Sequence, residues 1–168
     1  MRQLLLMRHG KSDWSTPGQA DFERPLRPRG IRATRRIGQW LLDAGLAPSR
    51  IVASPALRAK TTAHELARTL GAGRAAVAFD ARIYEASTAT LLHCIAEHGA
   101  GTDRLMLIGH NPGFEDTAGY LANAPLPAGA RGAVLPTAAL AIIELACAWN
   151  ALTARCAYTV RIVRPREL

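Results

Sequence analysis

Aromatic residues make up only 5% of this 168-residue chain, and lysine occurs just twice, at Lys11 and Lys60. So few rings leave little to stack nucleobases, and there is no glycine-aromatic RNA-binding motif, so a nucleic-acid partner is not expected. With lysine nearly absent, arginine carries almost all of the formal net charge of +8. That balance fits nucleic acid, an anionic protein or phosphate-bearing substrates, and equally a solvated surface, because net charge constrains association and solubility more than function. The three cysteines, Cys94, Cys147 and Cys156, are odd in number and lack CxxC spacing. Neither a disulfide framework nor a zinc ribbon is expected from them, and a reducing, cytoplasmic setting is the simple inference. No apolar run reaches the length of a membrane span, so no membrane association is expected. The opening apolar run is closed by Arg8-His9 without a small-residue cleavage site, so no signal peptide is expected either.

Hydrophobic residues at 49% and charged residues at 20% exclude disorder. No internal repeat, charge block or low-complexity linker divides the chain. One domain over residues 1–168 is therefore expected, with a core of useful size.

The organising stretch is Leu4 to Met7, an unbroken apolar run that ends in Arg8-His9-Gly10. It is too short for a helix and too continuous for a half-exposed strand, so it predicts a strand covered on both faces. Gly10 then lets the chain turn and lets a ligand approach the backbone. Ser12 to Arg29 contains Pro17, Gly18, Pro25 and Pro28 without a hydrophobic period. This predicts a long ordered loop folded over the strand end, with Trp14, Phe22 and Leu26 as anchors.

From Arg29 a helix is signalled by Ile37, Trp40, Leu41 and Ala44, ending at Gly45. Ile51 to Ala53 predicts a second strand. Ser54-Pro55 then reads as an N-cap followed by proline at the first helical position, opening a helix with Ala63, Leu66, Ala67 and Leu70 on one face and Arg58 in its first turn. Ala75 to Phe79 predicts a third strand, and Ser87 caps a further helix to Gly99. Arg104 to Ile108 predicts a fourth strand, breaking into Gly109-His110-Asn111-Pro112-Gly113, where Asn111 can cap and Pro112 can open a helix. Leu140 to Leu145 and Tyr158 to Val163 predict an antiparallel edge hairpin. The fold class is α/β, a three-layer α/β/α arrangement with a mostly parallel central sheet and an antiparallel edge.

Three predicted strands end in a sharp turn with cationic or imidazole side chains, at Arg8-His9-Gly10, Ser54 to Arg58, and Gly109 to Gly113. In an open α/β sheet such ends converge on one rim, where ligands bind. Two arginines and two histidines there call for an anion, because without one the cluster repels itself.

With these residues assembled, the chain resembles the histidine phosphatase superfamily, which has the phosphoglycerate mutase-like fold. It is most similar to the short branch of SixA-type phosphohistidine phosphatases. The resemblance rests on Met7-Arg8-His9-Gly10-Lys11-Ser12-Asp13-Trp14, Arg24-Pro25-Leu26 with Arg29-Gly30, Ser54-Pro55-Ala56-Leu57-Arg58-Ala59 with Thr61, Tyr84-Glu85, Gly109-His110-Asn111-Pro112-Gly113 and Pro136-Thr137. It implies a phosphatase that needs neither metal nor cofactor and works through a phosphohistidine on His9, its substrate a phosphorylated molecule such as a phosphohistidine-bearing protein.

The chemistry agrees residue by residue. A phosphoryl group in flight needs fixed donors in several directions. Arg8 and Arg58 supply paired hydrogen bonds and permanent charge, and His110 can add a third donor. His9 must be neutral at its attacking nitrogen, a form that nearby cations favour. Glu85 is the expected general acid, or else it positions water or substrate, and Asp13 is the runner-up. Asn111 is grouped with the phosphate ligands. Arg24 reads first as a loop anchor and second as a phosphate contact. Thr137 either bonds a phosphate oxygen or starts a strand. Ser54 is expected only to cap its helix, and His64, His93 and His98 to be surface or packing residues. Trp14, Trp40 and Trp149 are expected to pack.

The competing readings are a small-molecule phosphomonoesterase, a mutase on the same fold, a basic RNA- or anion-binding module, and a metallohydrolase. Against the last stand the lack of an HxxxH pair and the repulsion that Arg8 beside His9 would exert on a cation.

Overall fold

Apolar side chains alternate so that both faces of a single six-stranded sheet are covered. The computed structural model describes residues 1–71 and 75–168. The strands are β1 (Arg2–Arg8), β2 (Arg50–Ala53), β3 (Ala76–Phe79), β4 (Arg104–Gly109), β5 (Leu140–Leu145) and β6 (Ala157–Val163). Their spatial order is β3-β2-β4-β1-β5-β6. The first four are parallel to one another, and β5 and β6 continue the sheet antiparallel.

Along β1 the side chains part in turn to the two faces, as the period of two requires. Leu4 and Leu6 join Val52, Leu105 and Leu107 beneath α3 (Thr88–Gly99) and α4 (Gly113–Ala122). Leu5 and Met7 join Ile51, Ala53, Met106 and Ile108 beneath α1 (Pro28–Asp43) and α2 (Leu57–Leu70). Helices on both faces make the three-layer α/β/α arrangement expected from the sequence, antiparallel edge included.

Parallel pairing also brings the three strand ends that carry arginine and histidine together. Arg8 lies in register with Gly109, and Ala53 with Ile108. The turns that follow β1, β2 and β4 therefore open on one rim.

Several local expectations are corrected. Gly10 does not make room for a ligand: a Cβ there would sit 2.8 Å from the Gly30 carbonyl oxygen, and one on Gly30 would sit 2.5 Å from that of Lys11. The two glycines let the β1 turn pack directly against the first turn of α1. Ser54 does not cap α2, which starts three residues later and whose capping residue is Ala56. Asn111 does not cap α4 either; Pro112 takes the capping position, after a cis Asn111–Pro112 peptide. Trp14 is no packing anchor, being 68% exposed, whereas Trp149 is buried, with Gly99 leaving space for its ring.

The loop from Ser12 is ordered, as expected, and carries local structure of its own. A bridge between Ser12 and Leu26 closes its base, and Asp21–Glu23 form a 3-10 turn. Cys147 and Cys156 are joined as a disulfide, their Cα atoms 5.7 Å apart across the β5–β6 connection. The hairpin pairs them where spacing along the sequence does not, so the cysteine argument for a reducing, cytoplasmic setting loses its premise. Cys94 is free and buried. No helix among the described residues is long and apolar enough to cross a membrane.

Candidate active site

His9 leaves β1 with its backbone N–H on the Gly109 carbonyl and its own carbonyl accepting from Ala138, so its main chain is fixed between β4 and the Pro136–Ala138 turn. It is 7% exposed. Its Nδ1 lies 2.6 Å from the Gly10 carbonyl oxygen, which can only accept, so Nδ1 carries the proton. Its Nε2 accepts from Arg58 Nε at 3.3 Å. A nitrogen that accepts from a guanidinium holds a lone pair, so Nε2 is the unprotonated atom. Burial lowers the His9 pKa to about 3 against the pull of the Gly10 carbonyl, and His110, Arg58 and Arg8 lower it further. The cations invoked from the sequence do favour the neutral ring, but desolvation comes first.

His110, from the turn after β4, is built by the same logic. Its Nδ1 faces Arg58 Nη2 at 3.3 Å and must accept, so Nε2 donates to Ser54 Oγ at 2.8 Å. Burial first, and then Arg58, bring its pKa down to about 4. The two rings are tilted at 54° with centroids 5.2 Å apart. Both are neutral at pH 7, so they do not repel the arginines as the sequence reading supposed.

Arg58 joins them. It is 5% exposed, and besides the two histidines it donates to the Asp21 carbonyl at 2.7 Å and to Asp21 Oδ2 at 3.0 Å. Thr62 supports it from the next turn of α2, bonding the Arg58 carbonyl and receiving the Gly10 N–H. Arg8 donates from Nη1 to the Leu135 carbonyl, while its Nε is buried with no partner among the described residues. An orphaned guanidinium donor beside a neutral imidazole is what an oxyanion would satisfy. Burial holds the Arg8 pKa below its ordinary value, Glu115 opposing and Arg58 adding to the effect.

Asp21 is the residue that sequence reasoning missed. It sits in the 3-10 turn of the long loop, ion-paired to Arg58 and to Arg24, and accepts from the Tyr84 hydroxyl at 2.7 Å. Partial burial raises its pKa, but the hydrogen bonds from Tyr84 and Arg58 outweigh that and bring it to about 2. The only local sign was Asp21 three residues before Arg24; nothing in the sequence pointed from Asp21 to Arg58. Ser54, read as a cap, instead fixes the His110 tautomer. Tyr84 packs edge-on to His110 at 5.4 Å.

The remaining expected residues divide. Arg24 is 6% exposed, reaches Ser12 Oγ and Asp21, and carries its guanidinium 3.3 Å above the Trp14 ring. It anchors the loop. Asn111 donates to the Leu135 carbonyl and to Glu115, leaving its buried Oδ1 without a partner among the described residues. Glu85, next to Tyr84, is exposed and has a φ of 52°. No partner for its side chain occurs among the described residues. Asp13 bonds the Ser15 N–H and pairs with Arg27, within its own loop. Thr137 starts no strand, as β5 begins at Leu140; it is half-buried and lines a neighbouring cavity. His98 pairs with Asp80, His64 packs on Phe79 and His93 is exposed. Among the described residues no group of three or more His, Cys, Asp or Glu side chains is arranged to hold a metal ion.

Residues 4–97 match the model of the histidine phosphatase superfamily (branch 1). An uncharacterised protein of Mycobacterium tuberculosis is 33% identical over 167 residues, covering 95% of this chain and all of that one. Among solved structures, a protein identified as the phosphohistidine phosphatase SixA from Nakamurella multipartitia is 25% identical, covers 95% of each chain and has a TM-score of 0.75. Two further structures share the fold: the protein histidine phosphatase SixA with tungstate (21% identity, 98% of each chain, TM-score 0.77) and a mycobacterial glucosyl-3-phosphoglycerate phosphatase (17%, 98% of each chain, 0.67).

Proposed function

The chain belongs to the histidine phosphatase superfamily, in its short SixA-type branch, and from that membership we propose that it removes phosphoryl groups from phosphohistidine on a protein through a covalent phosphohistidine at His9. The observation that carries this reading is the state of His9, with Nδ1–H held by the Gly10 carbonyl and an unprotonated Nε2 presented beside Arg58.

Substrate phosphate displaces the Asp21 carboxylate from Arg58 and takes up the orphaned Nε of Arg8. Nε2 attacks phosphorus as the bond to the leaving group breaks, and the leaving group departs with a proton. Water then attacks phosphorus, the P–Nε2 bond breaks, and inorganic phosphate leaves with His9 neutral again. The bound dianion also favours a proton on His110 Nδ1, which turns that atom from acceptor to donor.

For the leaving-group proton Glu85 is the candidate that the family resemblance supplies. Asp21, with a pKa of about 2 and an ion pair to Arg58, holds none to give. The positive φ of Glu85 is a local strain of the kind that persists where the surrounding structure enforces a conformation. The positive charge the reaction needs comes from Arg8 and Arg58, which supports a mechanism without a metal. A second reading, hydrolysis of small phosphomonoesters, draws on the glucosyl-3-phosphoglycerate phosphatase that shares the fold.

Two measurements test the proposal. Rapid quenching at alkaline pH is expected to show one acid-labile phosphoryl group on the His9 peptide, with turnover surviving EDTA. Turnover without that adduct sinks the covalent route. Assayed side by side, a phosphohistidine protein is expected to outrun phosphoserine and small metabolite phosphates; the reverse order favours the phosphomonoesterase.

A further inference from the structure

Five cationic side chains without a partner among the described residues gather in a place the catalytic scheme does not use. A cavity of about 690 Å³ lies beside the rim, between the first half of α1, the Gly129–Ala133 turn and the C-terminal 3-10 turn Pro165–Glu167. Lys11 and Thr137 place it next to the β1 turn, yet His9, Arg58 and His110 do not line it. It is framed by seven cationic side chains and one carboxylate.

Two of those cations build the walls. Arg36 donates to the Pro165 carbonyl, tying α1 to the C-terminal turn. Arg164, 9% exposed, donates to the carbonyls of Val134 and Pro127 and takes up Glu167, the one carboxylate. Gly129 packs against Arg164 so closely that a Cβ there would meet its side chain at 2.8 Å, and the turn carrying Arg131 is closed by the Gly129 and Gly132 N–H groups. The other five, Lys11, Arg29, Arg32, Arg131 and Arg166, make no side-chain hydrogen bond or ion pair among the described residues. Arg29 and Arg32 also stand on the first turns of α1, where no acidic residue offsets the positive helix end and like charges three apart repel.

We propose that this cavity is a second anion site, separate from the catalytic rim, that binds a small soluble ligand carrying a chain of two or more phosphates. A single phosphate brings about two charges, too few for five unmatched cations on different walls. Linked phosphates present oxygens in several directions, each able to take a guanidinium fork. Among the described residues no aromatic side chain lines the cavity, so no stacking platform for a base is seen there, and the phosphate chain is the part recognised. A concave space of this volume also suits a small molecule better than a protein face. The inference does not depend on the phosphatase reading.

The test is calorimetric titration of tripolyphosphate into His9→Ala protein at about 0.15 M salt, where weak surface attraction is screened. Saturable binding is expected to persist when Arg58→Ala is added, and to weaken at least about tenfold in Arg32→Ala/Arg131→Ala as two charge-assisted contacts are lost. With His9 intact, the double variant is expected to keep its thermal midpoint and to hold kcat/KM on an aryl phosphate within about twofold, as surface substitutions remote from the reacting atoms do. Binding that Arg58→Ala abolishes and the double variant spares, or an isotherm that does not saturate, overturns the second site. Equal binding of polyglutamate, with the same sensitivity to the double variant, overturns the polyphosphate class in favour of an acidic protein.

Discussion

The strand-end rim and the loop from Ser12 to Arg27 meet at Arg58, and they hold it in different ways. On the rim side, His9 and His110 are buried neutral rings whose tautomers are set by a carbonyl and a serine hydroxyl. On the loop side, Asp21 is a half-exposed carboxylate on a turn braced by Arg24 and Tyr84. The buried rim matches its polar groups within the protein except at Arg8 Nε and Asn111 Oδ1, which have no partner among the described residues, whereas a carboxylate at the surface can withdraw into water at little cost. The rim is therefore held by buried contacts, and the loop side by an ion pair that water can replace.

The largest expected effect tests the point they share. Arg58→Ala removes a donor aimed at the developing charge, and kcat/KM on an aryl phosphate is expected to fall about 10²- to 10³-fold. A fall of only a few-fold would make Arg58 a structural partner of Asp21 and nothing more.

The pH profile tests the rim alone. Because the pKa values of His9 and His110 lie at about 3 and about 4, kcat/KM corrected for substrate ionisation is expected to stay level down to about pH 5. Both values are depressed below that of a histidine in water, so the unfolded chain takes up protons first. Their contribution to stability is thus complete above about pH 6.5. It is lost as the pH falls through about 4 and about 3. An acid limb of kcat/KM centred near pH 6.5 would show solvated histidines and erase the contrast with the loop.

Asp21→Asn tests the loop. A half-exposed ion pair is worth at most about 1 kcal/mol, so KM is expected to fall no more than about fivefold as Arg58 is released to the phosphate. A higher KM would mean that Asp21 orients Arg58 for substrate rather than holding its place. Smallest of all, Ser54→Ala leaves the Nε2–H of His110 without an acceptor, a loss of about 1 kcal/mol that lowers the thermal midpoint by about 2–4 °C. An unchanged midpoint with an unchanged pH profile would show that Ser54 does not set the His110 tautomer.

How legible these regions were follows from the range of the interactions that make them. Leu4 to Met7 announced a strand buried on both faces, and Arg8, His9, Arg58 and His110 stood where strands end, because period and punctuation act over a few residues. The structure brings those four together. Gly10 was read as space for a ligand because a glycine shows only that a Cβ is excluded, and the excluding atom, the Gly30 carbonyl, lies in another element. Ser54 looked like a cap for the same reason: its sequence neighbours form a helix, but its hydroxyl answers a histidine 56 positions away.

By itself, then, the sequence determined the layered α/β plan, the division of the sheet into a parallel part and an antiparallel edge, and the cluster of arginine and histidine at the strand ends. Hydrophobic period, caps and turns are local, and the handedness of parallel connections does the rest. Only the tertiary structure decided which nitrogen of His9 is unprotonated, that Asp21 occupies Arg58, that Cys147 meets Cys156, and that five cations unpaired among the described residues share one cavity. Each of these depends on atoms that meet through packing across the fold, and no spacing along the chain encodes such a meeting.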